Sequence, residues 1–183
     1  MAKKVPGQIS IFENEENTRQ SMPSKKTVRT VVHAQWKLYV DGASRGNPGK
    51  AGVGIVIKKG ETVVACHGFY IGHHTNNEAE YVALLVGLYF VKKQIDTHES
   101  LTIYSDSELL VKQCTGVYRV KKAELKCLYD GVMNQLESMR YTIKHLLREY
   151  NTQADAAANE GIDTKKKMPL TLLDKVHRCG FEL

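Results

Sequence analysis

The chain has 183 residues, 42% of them hydrophobic and 25% charged, with a formal net charge of +6. This is the composition of a soluble globular chain long enough for a sizeable core. Its longest apolar run, Tyr81 to Val91, is too short to span a bilayer, and the opening MAKKVPGQ has no apolar stretch of the kind a secretory signal needs. The charge is uneven. Residues 1–35 hold six basic and three acidic side chains and residues 162–183 hold five and three, which leaves 15 against 14 in between. The basic character therefore lies largely in the tails, and it suits a polyanionic partner. Cys66, Cys114, Cys127 and Cys179 show neither a CxxC pair nor zinc-ligand spacing. They read as small buried hydrophobes or free thiols of a reducing compartment, so the expected location is the cytoplasm.

Residues 1–34 are polar and charged without sustained periodicity, and they read as a mostly disordered tail. Gln8-Ile9-Ser10-Ile11-Phe12 stands apart as an apolar island, the form of a short docking motif or of an anchor strand packing on the domain. QISIF resembles the QLSLF-type pentapeptide with which bacterial replication and repair proteins dock onto the sliding clamp. That resemblance implies Gln8, Ile11 and Phe12 as docking residues and the clamp as a partner.

Trp36 to Val40 alternates apolar and polar side chains, the pattern of a half-buried strand that delivers Asp41 to its end before a glycine-rich turn, Gly42 to Gly49. By itself Asp41 reads equally well as an ordinary turn starter. Gly52–Lys58 and Thr62–Ile71 predict two further strands of an antiparallel meander, with glycines where the opening loop passes close by. Thr75 or Asn76 predicts the cap of a long helix, Asn77–Lys93, whose apolar stripe is Tyr81, Leu84, Leu85, Leu88 and Val91. Glu78 and Glu80 point to different sides of it, and Glu80 is the inward one. Leu101–Ser105 is a strand ending in Asp106, and Ser107-Glu108 opens a short helix toward Cys114. After the basic connector Val117–Lys122 come a helix over Ala123–Ser138, a strand over Tyr141–Leu147 and a helix over Gln153–Gly161, capped by Asn151 or Thr152. The order β-β-β-α-β-α-α-β-α predicts an α/β protein with a mixed sheet covered by helices. The domain spans residues 35–161, and residues 162–183 form a basic extension. Its Leu170–Val176 segment is a short helix that either packs on the domain or meets nucleic acid.

Asp41, Glu80, Asp106 and Asp155 stand out by position, two at strand ends and two in first turns of helices. Brought together, such carboxylates raise one another's pKa and destabilise a fold unless a cation relieves them. Hard oxygen donors without a His or Cys cluster favour Mg²⁺ or Mn²⁺. Carboxylates sharing a site can hold two ions about 3.5–4 Å apart, a pair suited to phosphodiester hydrolysis.

DGASRGNPG with Asp41, TNNEAE with Glu80, IYSDSELLV with Asp106 and NTQADAAAN with Asp155 resemble, in order, the four signature blocks of type 1 ribonuclease H. The resemblance covers residues 36–161. It implies a five-stranded sheet of order 3-2-1-4-5 and an endoribonuclease that cuts RNA in RNA–DNA hybrids, leaving 3′-hydroxyl and 5′-phosphate ends. It implies two bound Mg²⁺, with Mn²⁺ a possible substitute; a monomer is expected, although the sequence leaves the oligomeric state open. Asp41 would bridge both ions, Glu80 and Asp106 would complete one shell with Glu80 near a 2′-hydroxyl, and Asp155 would hold the ion that activates water. Gly46, Asn47, Asn76 and Asn77 match positions that touch the hybrid, where a 2′-hydroxyl in a wide minor groove marks RNA. As residues, Asn76 and Asn77 also read simply as helix caps.

Two features depart from the family pattern. The loop carrying a His before the last aspartate is absent, which leaves His145, Arg148 and Glu149 as candidate replacements. The basic handle is short, with Arg119, Lys121 and Lys122 as its phosphate-contact candidates or as a solvated turn. His73 and His74 are expected to face solvent rather than bind metal. The alternatives to hybrid cleavage are the same fold acting on RNA duplexes or RNA–DNA junctions, and a non-catalytic hybrid-binding module.

Overall fold

The structure, a computed structural model, describes residues 35–183. The tail reading and the docking residues Gln8, Ile11 and Phe12 lie outside those residues. Eleven elements follow in order: β1 (Trp36–Gly46), β2 (Gly49–Lys59), β3 (Thr62–His74), α1 (Asn76–Lys92), β4 (Ser100–Ser105), α2 (Glu108–Cys114), α3 (Ala123–Leu136), β5 (Arg140–His145), a 3₁₀ turn (Arg148–Tyr150), α4 (Thr152–Thr164) and α5 (Leu170–His177). They build one five-stranded sheet of order β3-β2-β1-β4-β5, the expected order. The first three strands are antiparallel, while β4 and β5 join β1 in parallel.

β1 runs further than its alternation predicts. Its parallel pairing with β4 stops at Tyr39↔Tyr104, but its antiparallel pairing with β2 continues through Asp41↔Gly54 to Gly46↔Gly49. Asp41 is therefore not at the end of its strand. It sits where the sheet narrows and β1 continues as a ribbon with β2. The expected eight-residue turn shrinks to Asn47-Pro48, joined by a cis peptide bond.

Two faces of the sheet are covered differently. Leu38, Val40, Val53, Ile55, Ile57, Leu101 and Ile103 point to the side of α1 and form one buried cluster with Leu84, Leu85 and Leu88. α1 is buried almost all round, including Val82, Ala83 and Val86 beyond the expected stripe, because α3 and α5 close over its outer side. Residues beyond Gly161 take part in this core. α4 runs on to Thr164, so the expected boundary at 161 falls inside a helix, and Met168, Leu172, Val176 and Phe181 are buried in the same cluster. The Tyr70 N–H also donates to the Lys166 carbonyl at 2.8 Å.

On the opposite face α4 lies directly on the glycines of β2 and β3. A Cβ at Gly54 would stand 1.9 Å from the Ala154 carbonyl oxygen, and one at Gly68 would stand 1.9 Å from that of Ala157. The glycines thus make room for α4 rather than for the opening loop, and Ala154, Ala157 and Ala158 supply the small side of the contact. This close approach fixes the helix that carries Asp155.

Candidate active site

Each acidic side chain is delivered by a local device. Asp41 leaves β1 just past the last rung shared with β4, and Asp106 follows the last residue of β4, so the two carboxylates emerge side by side. Glu80 lies in the first turns of α1. Thr75 caps this helix, with the Glu78 N–H donating to its Oγ1 at 3.3 Å and the Thr75 N–H donating to Glu78 Oε2 at 2.7 Å. The cap is Thr75 rather than Asn76 or Asn77. Glu78 is spent on that cap, and Glu80 turns inward.

One carboxylate oxygen from each of Asp41, Glu80 and Asp106 lies within 4.8 Å of the other two. Asp41 and Glu80 are each only 4% exposed. Burial pushes the Asp41 carboxyl from 3.8 up to about 7, reinforced by the nearby charges of Asp106 and Asp155 and opposed by Arg148. Burial also raises Glu80 well above the usual carboxylate range, with Asp41 and Asp106 adding to it. Its Oε2 is buried without a hydrogen-bond partner among the described residues. Three crowded carboxylates, two of them desolvated and one with an orphaned oxygen, form a hard-donor set that suits a divalent cation.

Asp155 is not in that group. Its Oδ1 accepts from Arg148 Nη2 at 2.7 Å, and Asn159 Nδ2 donates to its Oδ2 at 3.4 Å. The cleft above the three carboxylates has a volume of about 580 Å³, and its walls include Ser44, Arg45, Asn76, His145, Arg148 and Asn159.

Other expected residues are distributed around this cleft. Asn76 lines it, and its N–H donates to Asn47 Oδ1 at 3.2 Å, which ties the β1–β2 turn at Gly46 to the head of α1. Ser44 Oγ reinforces the tie by donating to the His74 carbonyl at 2.8 Å. Asn77 lines a neighbouring cleft of about 380 Å³ together with Lys122 and Thr75. Arg119 and Lys121 are exposed on the connector and line neither cleft. His145 ends β5 with Nε2 3.2 Å from the Asp106 carbonyl, and Glu149 is exposed. His73 is exposed, but His74 is half-buried, 3.6 Å from Glu78 and packed on Phe181.

One site residue escaped the sequence reading. Asn151 was expected to cap α4, yet its side chain makes no capping bond. Buried, it donates from Nδ2 to the Val40 carbonyl at 2.9 Å and to Asp106 Oδ1 at 2.8 Å. It thereby links the end of β1–β4 pairing, the Asp106 carboxylate and the start of α4. An Asn opening a helix carries no sign of such a long-range role. Asn151→Ala strands a buried carbonyl and frees Asp106, so it should cost about 1–3 kcal/mol in chemical denaturation. If stability is unchanged, the link is not structural.

A family profile described as "Reverse transcriptase-like" matches residues 39–161. The chain is 39% identical over 144 residues to a ribonuclease HI of Halobacterium salinarum, covering 72% of this chain and 64% of that protein. It is 38% identical over 131 residues to a bifunctional protein of Mycobacterium tuberculosis, covering 69% of this chain but 35% of that one. The chain thus spans less than two thirds of these relatives. Among solved structures, the Halobacterium salinarum RNase H1 superposes with a TM-score of 0.67 at 38% identity, over 71% of this chain and 98% of that one. LC11-RNase H1, solved in complex with an RNA/DNA hybrid, gives 0.67 at 36% identity over the same shares. With a profile match spanning most of the domain and solved relatives covered almost end to end, the chain belongs to the type 1 ribonuclease H family.

Proposed function

We propose that this protein is an endoribonuclease that hydrolyses the RNA strand of RNA–DNA hybrids with divalent cations, Mg²⁺ or Mn²⁺, leaving 3′-hydroxyl and 5′-phosphate ends. The observation that carries the proposal is the trio of buried Asp41, buried Glu80 and half-buried Asp106, with one carboxylate oxygen from each within 4.8 Å of the others at the floor of an open cleft. The trio would hold one cation, and Asp41 with Asp155 a second. Bound there, such ions supply Lewis-acid polarisation of a phosphate and lower the pKa of water. The protein's own part is placement. Asn151 holds Asp106 against β1, the α1 cap holds Glu80 inward, and Ser44, Asn47 and Asn76 fix the turn that borders the cleft. Asn76 and the Gly46-Asn47 turn offer polar groups to the 2′-hydroxyl of RNA, while Asn77 and Lys122 offer a second cleft to the backbone. The solved LC11-RNase H1 complex with an RNA/DNA hybrid supports this choice of substrate. The pentapeptide Gln8 to Phe12 extends the proposal to docking on a sliding clamp, on the strength of its residues alone.

The test compares end-labelled hybrid, RNA duplex and DNA duplex in Mg²⁺ and in EDTA. RNA-strand cutting confined to the hybrid and abolished by EDTA supports the reading. Equal cutting of RNA duplex overturns the substrate class. Hybrid binding with no product in either Mg²⁺ or Mn²⁺ puts the binding-module alternative ahead.

A further inference from the structure

We propose that Arg148 is a built-in counter-cation that holds Asp155 away from the other three carboxylates, so that the protein takes up one divalent cation readily and a second only when Arg148 lets go. The inference rests on the cation reading above and concerns how the site loads.

Three carboxylates are assembled and the fourth is not, and the fourth alone is engaged by a guanidinium. Arg148 extends from the 3₁₀ turn just before α4 and lines the cleft. Among the described hydrogen bonds and ion pairs of its side chain, Asp155 is its partner, at 2.7 Å. The Arg148 charge also faces Asp41, Asp106 and Glu80, so it partly neutralises the cluster that a cation would neutralise. The Arg148 side chain is 77% exposed and that of Asp155 is 29% exposed. The guanidinium can therefore swing into the cleft or into solvent without disturbing the core, and a phosphate in the cleft offers it an equivalent bidentate partner. A pair this exposed is weak, so it opposes a cation without excluding it. Arg148 and a cation compete for Asp155 through charge and position: the guanidinium compensates the carboxylate's charge and holds its Oδ1 turned toward the 3₁₀ turn.

The same helix supplies an internal comparison. Asp163, two turns along α4, pairs with Arg45 at 2.6 Å, also at the cleft edge. Asp163 is not in the carboxylate cluster. Breaking that pair removes a similar charge near the cleft without freeing a cation ligand.

The experiment is calorimetric titration of the full chain with MnCl₂, without nucleic acid. Wild type should show one tight site and one weak site. Arg148→Ala should tighten the weak site about 2–5-fold, the worth of an exposed ion pair, with a smaller change at the first. Arg148→Lys should fall between the two, Arg45→Ala should match wild type, and Arg148→Ala with Asp155→Asn should lose the tightened site. Identical isotherms for wild type and Arg148→Ala overturn the latch while leaving the cation reading intact. Equal tightening by Arg45→Ala also overturns it, since general charge would then be the cause. No Mn²⁺ binding by any variant overturns the cation reading and the latch with it.

Discussion

Asp41→Asn is expected to abolish most hybrid cleavage and, in the absence of divalent cations, to make the protein more stable. The two effects share one cause. Asp41 is buried beside Asp106 with its carboxyl pushed up to about 7. Asn keeps the shape and removes the charge. Activity should fall at least about 10²–10³-fold, the scale for losing one preorganised electrostatic group. Because the folded-state pKa stands above the unfolded value of 3.8, the stabilising protonated form is fully present below about pH 4 and lost as the pH rises through about 7. In EDTA at pH 8 the variant should therefore unfold at a higher temperature, a gain on the order of 1–3 kcal/mol once the shift is shared among coupled neighbours. Near pH 4 the gain should vanish, since wild-type Asp41 is then protonated as well.

Adding Mg²⁺ should reverse the order. Wild type gains stability in proportion to the logarithm of cation occupancy, about 2.7 kcal/mol at about a hundredfold excess over the dissociation constant, and the variant gains less. Thermal melts of both proteins at pH 4 and pH 8, with EDTA and with Mg²⁺, check the crossing. A variant that melts lower than wild type in EDTA at pH 8 would give Asp41 a structural role instead.

What the sequence made legible, and what it did not, follows from the range of the forces involved. The capping box on α1 is local, so Thr75, Glu78 and the inward turn of Glu80 could be read within six residues. The sheet order was legible because four acidic blocks came in a recognisable sequence on recognisable elements. The true length of β1 was not. It depends on how far β2 stays paired after β4 stops, and that is a property of two other strands. Gly54 announced a missing Cβ but not the Ala154 carbonyl that fills its place. The full burial of α1 depends on α5 and Phe181, about 90 residues further along the chain, and a single amphipathic stripe cannot reveal a second covering layer. Asn151 looked like a cap, and Arg148 stood as one of three candidates for the missing His with no partner named, because the carboxylates they touch, Asp106 and Asp155, meet them only in the folded chain.

Gly42→Ala should remove activity by geometry alone, with the opposite effect on stability. A Cβ at Gly42 would stand 2.1 Å from the Glu80 backbone nitrogen and 2.4 Å from the Ala79 carbonyl carbon. Ordinary contact begins at 3.4 Å, so β1 and the first turns of α1 must separate by 3.4 minus 2.1, or about 1.3 Å, along that line. The obstacle is backbone within a capped helix, which cannot rotate aside as a side chain would. Overpacking of this kind costs about 1–3 kcal/mol. Glu80 moves with its backbone, and a displacement near 1 Å at a reacting constellation costs about 10²-fold in rate. The carboxylate count is unchanged, so the loss would reflect spacing rather than missing charge. In EDTA at pH 8 Gly42→Ala should melt below wild type while Asp41→Asn melts above it, although both lose hybrid cleavage. Measuring the two side by side therefore separates the chemistry of the cluster from the contact that assembles it. Full activity in Gly42→Ala would mean that α1 can back away from β1 without carrying Glu80 out of reach of Asp41 and Asp106.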